Sequence, residues 1–188
     1  MMCNICKELE RLSFDTWDRI GFARSRAGFR IFETTITQNI LFELKKFSES
    51  SGNNSIELFE ARDEKRNGND IDLFVQYGDG DRYIFFPLQA KILYSNTKYS
   101  KMEHGNQILD LIDYATKADG IPMYLLYNHT SDISLKKYGC SVVSAIHLRD
   151  HYADKRTYKG TKKWKIPTFD DLHPSYAEPW QEFFCIFL

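Results

Sequence analysis

No stretch of this sequence approaches the roughly 20 consecutive apolar residues that a bilayer-spanning helix needs. The longest apolar run is the terminal Phe183-Phe184-Cys185-Ile186-Phe187-Leu188. The start, Met1-Met2-Cys3-Asn4-Ile5-Cys6-Lys7-Glu8, brings an acid early and holds no apolar segment, so no secretory leader and no membrane attachment are expected, and the protein is read as cytoplasmic. An excess of one charge is also missing. The 25 basic and 26 acidic residues leave a net charge of −1, which excludes a histone-like polycation. It does not exclude nucleic-acid binding, because local patches decide that. Internal repeats and low-complexity tracts are absent. Cysteine is scarce, with Cys3, Cys6, Cys140 and Cys185 alone, and in a reducing compartment these are expected to remain thiols. Cys3 and Cys6 have the spacing of half a zinc site, but a closed site takes four ligands. Three residues apart is also one helical face, so buried helix thiols are the better reading.

What is present suffices for one domain: 188 residues, 43 % hydrophobic and 15 % aromatic. Residues 3–20 carry Ile5, Leu9, Leu12 and Ile20 near helical spacing, which predicts an N-terminal helix. Residues 21–31 read as irregular and basic. A second helix is expected from Thr37, a favourable cap, to about Ser50. Ile56–Phe59 reads as a short strand and residues 61–69 as a charged loop. Ile71–Tyr77 alternates, with Ile71, Leu73 and Val75 on one face. Gly78-Asp79-Gly80 signals a turn, and Arg82–Lys91 is dense in β-formers. Pro87 within it marks an edge or a bulge. Glu103–Lys117 has helical periodicity, Met123–Tyr127 reads as a strand buried on both faces, and Cys140–Ile146 as a further short strand. This order predicts an α/β domain with a mixed sheet.

A hairpin turning at Asp79 and Gly80 pairs residues whose numbers sum to about 159, which sets Asp70 opposite Gln89. Lys91 lies two residues on and shares that face. The flanking Ile84-Phe85-Phe86-Pro87-Leu88 is apolar, and lysine is rarely buried unpaired. A carboxylate, an amide oxygen and an ammonium at the end of such a strand fit a cation and phosphate site, since oxygen ligands suit magnesium and an ammonium suits a phosphate. A salt bridge at a sheet edge, with an incidental glutamine, fits the same pattern.

Asp70 followed after a hairpin by Gln89-Ala90-Lys91 resembles the PD-(D/E)XK nuclease superfamily, in the branch that includes Mrr-like restriction endonucleases and carries Gln-x-Lys. The resemblance covers about residues 30–128, as the core of a single domain 1–188 with an N-terminal helix 3–20 and a C-terminal extension 148–188. It implies a restriction endonuclease-like mixed β-sheet flanked by helices, and metal-dependent hydrolysis of phosphodiester bonds, of DNA, in the setting of anti-phage defence. It also implies Mg2+ or Mn2+ held by Asp70, the Gln89 side-chain oxygen, the Ala90 carbonyl and Glu33, with Asp72 as an alternative or additional ligand. Lys91 then orients the attacking water, and Gln107 supports the site from the following helix. Two departures are visible. Asn69 stands where the family has proline, and Gln89 brings no charge, so the metal is expected to bind more weakly than between two acids. A catalytically inactive nuclease-like domain that binds nucleic acid or a protein partner remains the alternative.

Two basic segments are candidate nucleic-acid contacts. Lys155, Arg156, Lys159, Lys162, Lys163 and Lys165 fall within eleven residues, with Tyr158 and Trp164 interleaved, and Arg24, Arg26 and Arg30 precede Glu33. A solvated loop with its Trp tucked into the domain competes for the first segment. The histidines have no convincing metal spacing; His147 and His151 are four apart and would share a helical face. The apolar C-terminus requires burial in the core, in a homodimer interface or against an additional domain.

Overall fold

The computed structural model describes residues 4–78, 82–95, 97–99, 102, 105–158 and 161–188, without the side chains of 64–65 and 153–164. The elements in chain order are α1 (Asn4–Ser25), α2 (Glu33–Ser51), β1 (Ile56–Glu60), α3 (Glu64–Asn67), β2 (Ile71–Gln76), β3 (Tyr83–Ile92), α4 (Gly105–Lys117), β4 (Met123–Tyr127), β5 (Cys140–Ser144), α5 (Ala145–Tyr152), β6 (Ala153–Tyr158), β7 (Thr161–Trp164), α6 (Phe169–Leu172), β8 (Glu178–Pro179) and α7 (Trp180–Cys185). A 3-10 helix covers Ile133–Tyr138. The main sheet runs β1-β2-β3-β4-β5-β8 and is mixed: β3 and β4 are parallel, joined by the α4 crossover, and the other pairs are antiparallel. Strands β6 and β7 form a separate hairpin. This is the helix-flanked mixed α/β architecture expected of a restriction endonuclease-like fold.

Alternation assigns the two faces. Ile71, Leu73, Val75, Phe86, Leu88 and Ala90 point to one side and are fully or almost fully buried with Ile5, Leu9 and Leu12 of α1 and Ile36, Ile40 and Leu44 of α2. Tyr124, Leu126 and Val143 point to the other, under Ile108 and Leu111 of α4. Asp70, Asp72, Gln89 and Lys91 share this second face by the same alternation.

Several expectations need correction. The second helix begins at Glu33, not Thr37; Thr37 lies one turn inside, its hydroxyl donating to Glu33 O at 3.1 Å, and the cap residue Phe32 makes no side-chain cap bond. The first helix continues to Ser25 and so includes Arg24. Gly21 lies within that helix where it packs against His129, and a Cβ there would come within 2.3 Å of His129 Nε2. Pro87 lies inside an interior strand, opposite Asp72, and is tolerated because the parallel ladder with β4 begins only at Leu88. Lastly, the cysteines are not all thiols. Cys6 and Cys185 form a disulfide across 179 residues, with Cα atoms 6.0 Å apart; Cys140 is a buried free thiol, and Cys3 lies outside the described residues.

The same disulfide shows where the apolar terminus goes. Helix α7 packs on α1, Trp180 Nε1 donates to Leu9 O at 2.8 Å, and the rings of Phe183, Phe184 and Phe187 surround Phe86. The C-terminal segment is part of the main core rather than an extension, and β8 adds an edge strand. Among the described residues no helix is long and apolar enough to cross a membrane.

Candidate active site

The loop before β2 is held close to α4 by Gly68. Its φ of 72° is a left-handed value, and a Cβ there would come within 2.4 Å of Gln107 O. The chain then enters the sheet at Asp70, whose backbone is fixed on both sides: its N–H donates to Leu88 O at 2.8 Å and its carbonyl accepts from Ala61 N at 2.9 Å. The register of β2 and β3 is the anticipated one, since Ile71 pairs with Leu88 and Gln76 with Tyr83, both summing to 159. Asp70 and Gln89 therefore meet.

The Asp70 Oδ2 accepts from Ala90 N at 2.7 Å and from Gln89 Nε2. The same Gln89 nitrogen reaches Ala90 O at 3.3 Å. One buried amide nitrogen thus stands between a carboxylate and a carbonyl oxygen, and the other end of that amide, Gln89 Oε1, is buried with no hydrogen-bond partner. Gln89 is 1 % exposed; among the described residues Asn69 Oδ1, His147 Nε2 and Gln181 Oε1 are likewise buried without a partner, and what sets Gln89 apart is the carboxylate and the carbonyl that its amide already faces. Lys91 is 3 % exposed, with Nζ 3.7 Å from Glu33 Oε1. Glu33 opens α2, where a carboxylate suits the positive end of the helix, and its Oε2 accepts from Ile92 N at 2.8 Å. That bond ties the helix start to the end of β3.

Asp72 is turned to other partners. Its Oδ1 accepts from Asn69 Nδ2 at 2.7 Å and Tyr114 Oη at 3.4 Å; burial raises its pKa against the pull of these two bonds. It joins the entry loop and α4 to the sheet, while Asp70 faces Gln89 and Ala90. Gln107 is half-buried near the start of α4, with its backbone carbonyl towards Gly68.

Two groups escaped the sequence reading. Glu60, at the end of β1, lines a cavity of about 90 Å³ together with Glu33, Thr37, Gln38 and Asp70. The hairpin arithmetic used for β2 and β3 also works for β1 and β2, and sets Glu60 opposite Ile71, beside Asp70. Tyr124 pairs with Gln89 across β3 and β4, and burial, then the charges of Asp70 and Glu33, hold its hydroxyl protonated. Among the described residues no three His, Cys, Asp or Glu side chains form a ready metal cage. The oxygen set available is the mixed one of Asp70, Gln89, the Ala90 carbonyl and Glu33.

The basic candidates divide. Arg24 is committed to backbone carbonyls, donating to His129 O at 2.7 Å and to Leu93 O, so it braces α1 against the ends of β3 and β4. Arg26 and Arg30 are exposed, Arg26 over the Phe22 ring at 5.4 Å. Lys155, Arg156, Lys162 and Lys163 ride on the β6–β7 hairpin with side chains that are not described, and Lys159 lies outside the described residues. His147 and His151 do share a helix, α5, and their rings stack at 4.3 Å.

A family model described as a family of unknown function (DUF6615) matches residues 5–187, so the chain belongs to that family. No curated protein matches. Among solved structures, the chain is similar to Hjc, a Holliday junction resolvase from the archaeal hyperthermophile Archaeoglobus fulgidus, with 9 % identity, a TM-score of 0.38, and 68 % of this chain and 87 % of that one covered.

Proposed function

We propose that the chain is a metal-dependent nuclease hydrolysing phosphodiester bonds, with DNA as substrate. The observation that carries the reading is the convergence of Asp70, Gln89 and Lys91 at one buried end of a hairpin, with Gln89 Oε1 unpartnered. The donor set fits a hard cation such as Mg2+ or Mn2+. Two expected ligand oxygens, Asp70 Oδ2 and Ala90 O, already face one polar atom, and turning the amide over would bring Oε1 to face the same place. Asp70, Gln89 and Ala90 would hold the ion, with Glu33 assisting. When bound, such an ion neutralises charge on a phosphoryl group and makes a nearby water more acidic.

The remaining work falls to this chain's own groups. Lys91 is fixed in a dry site and presents its ammonium to a phosphate oxygen or to the attacking water, where a preplaced charge acts without reorganisation. Glu33 positions Lys91 and keeps a second bond to the Ile92 N–H, so the pair moves with the strand rather than with solvent. Asp70, fixed by two backbone bonds, sets where the phosphate must lie. Incubation of the purified protein with plasmid DNA and Mg2+ or Mn2+ tests the reading: nicking or degradation is expected, lost in Asp70→Ala and Lys91→Ala. Undiminished cleavage by Lys91→Ala rejects the assignment. The engagement of Asp70 by the Gln89 amide favours a second reading, a domain that binds nucleic acid without cutting; retention of DNA without turnover under both metals supports it.

A further inference from the structure

The cavity beside Glu60 is small and acidic. Across Glu33 and Thr34 lies another of about 600 Å³ with the opposite character. It is walled by the end of α1, by residues 29–32 and by the segment after β3. Phe29, Phe32 and Tyr94 line it and are 56 %, 63 % and 51 % exposed. The charges on its wall, Glu33 apart, are Arg24 and Arg30. A neighbouring cavity of about 450 Å³ opens alongside, and Phe29, Arg30 and Ile31 line both, so these three residues form the ridge between them. Phe22 meets Phe29 edge-on at 5.9 Å and supports the ridge from α1.

Large exposed rings in one place are costly unless they bind something. Here the rings alternate with arginine, and the cavity shares Glu33 with the Asp70–Lys91 cluster. Aromatic faces accept any nucleobase by stacking, and guanidinium groups pair with phosphate. Bases inside a duplex cannot reach such rings without leaving the stack. We propose that this cavity binds unpaired nucleotides, with bases stacked on Phe29 and Phe32 and a backbone phosphate on Arg30, so that the substrate is single-stranded or locally opened nucleic acid. Naming it as a substrate rests on the nuclease reading, because it is the shared Glu33 wall that would bring the next phosphodiester to Asp70 and Lys91. Arg24 acts by position, since its guanidinium is held by Leu93 O and His129 O.

The test is fluorescence anisotropy in EDTA, where cleavage plays no part, with a labelled oligothymidylate of about 15 nucleotides and a blunt duplex of the same length. The single strand is expected to bind about tenfold more tightly than the duplex, and Phe29→Ala and Arg30→Ala each to weaken it about tenfold. Phe29→Tyr, which keeps a ring, retains binding. These side chains are exposed, so thermal melting should move by no more than about 2 °C. No single-strand binding, equal binding of the duplex, or binding indifferent to Phe29→Ala overturns the proposal. So does sedimentation showing a dimer that Phe29→Ala dissociates, since the patch would then be an interface between copies. An oligonucleotide held through Phe29 but never cut with Mg2+ overturns the nuclease reading and leaves the site standing. Plasmid cleavage that is abolished by Lys91→Ala and untouched by Phe29→Ala and Arg30→Ala does the reverse.

Discussion

Tyr99, Asn128, Ser141 and His173 form one buried polar chain, and Asp70, Gln89 and Lys91 form another. The first closes on itself. Tyr99 Oη donates to Asn128 Oδ1 at 2.8 Å, and Asn128 Nδ2 donates to Ser141 Oγ at 2.9 Å and Tyr138 O at 2.7 Å. Ser141 Oγ lies 2.7 Å from His173 Nε2, and His173 Nδ1 lies 3.0 Å from Phe169 O. A carbonyl only accepts, so Nδ1 carries the proton, Nε2 accepts from Ser141, and every donor points one way along the chain. A hydroxyl and an imidazole at this distance have the geometry of a nucleophile and its base. Ser141 is 0 % exposed, however, and its hydroxyl is already taken up between Asn128 Nδ2 and His173 Nε2. The second chain leaves Gln89 Oε1 without a partner and holds a buried ammonium at 3.7 Å from its carboxylate. Fully satisfied polar networks specify a fold; an orphaned acceptor set beside a carboxylate and a carbonyl oxygen is where a cation would complete the set.

Substitution at each cluster should break this contrast in opposite ways, and the largest effect belongs to Lys91. Lys91→Met keeps the stem and removes the charge. Cleavage should fall by about a thousandfold, the upper end of what a single preplaced electrostatic group contributes. The melting temperature should change little, because the Glu33 carboxylate left behind is 24 % exposed and keeps its bond from Ile92 N. Steady-state cleavage and thermal melting on the same preparation decide it; a melt lowered in step with activity would make Lys91 structural. Asn128→Leu should do the converse. It strands Tyr99, Ser141 and the Tyr138 carbonyl in a dry core, for a loss of about 3 to 4 kcal/mol by denaturant titration. Cleavage per folded molecule should not change.

The legibility of these two clusters in the sequence also differs, for a physical reason. The Asp70–Gln89–Lys91 cluster is local: alternation, a turn and a register were enough to set the three residues on one face, and the β2–β3 pairing has that register. The Asn128 chain joins β4, β5 and the segment after α6, and no spacing rule reaches across them. The same holds for Cys6 and Cys185, 179 residues apart and brought together only when α7 packs on α1. The start of α2 was misplaced because Thr37 has the chemistry of a cap, whereas the helix begins four residues earlier, where Glu33 bonds across to Ile92 N. Glu60 was missed because it lies at the boundary between a strand and a loop, though the β1 register alone would have placed it.

Acid should sharpen the contrast further. Burial lowers the His173 pKa to about 4, against an ordinary value of 6.5. Below the ordinary value the unfolded chain takes up a proton that the folded chain refuses. Stability should therefore fall as pH drops from about 6.5 to about 4, by at most about 3 kcal/mol, and level off below that. Urea melts across this window read the slope, and His173→Gln should remove most of it, leaving the smaller share of His129 and His147, whose pKa values burial also lowers. A slope unchanged in the variant would assign the acid sensitivity elsewhere.

The smallest expected effect is the most diagnostic for the unsatisfied cluster. Gln89→Glu replaces the amide that now donates to Asp70 Oδ2 and Ala90 O with a carboxylate that cannot donate when ionised. Without a divalent ion, two carboxylates would face each other in a buried site, which raises the pKa of one and should destabilise the fold by about 1 to 2 kcal/mol near neutral pH. With Mg2+ the added charge becomes an added hard ligand, and the loss should reverse. The measurement is the melting temperature of both proteins with EDTA and with Mg2+: a small rise is expected for the wild type and a larger one for Gln89→Glu. If the variant is as stable as the wild type in EDTA and neither protein responds to Mg2+, no cation sits between Asp70 and Gln89, and the unpartnered oxygen has to be explained by the amide alone.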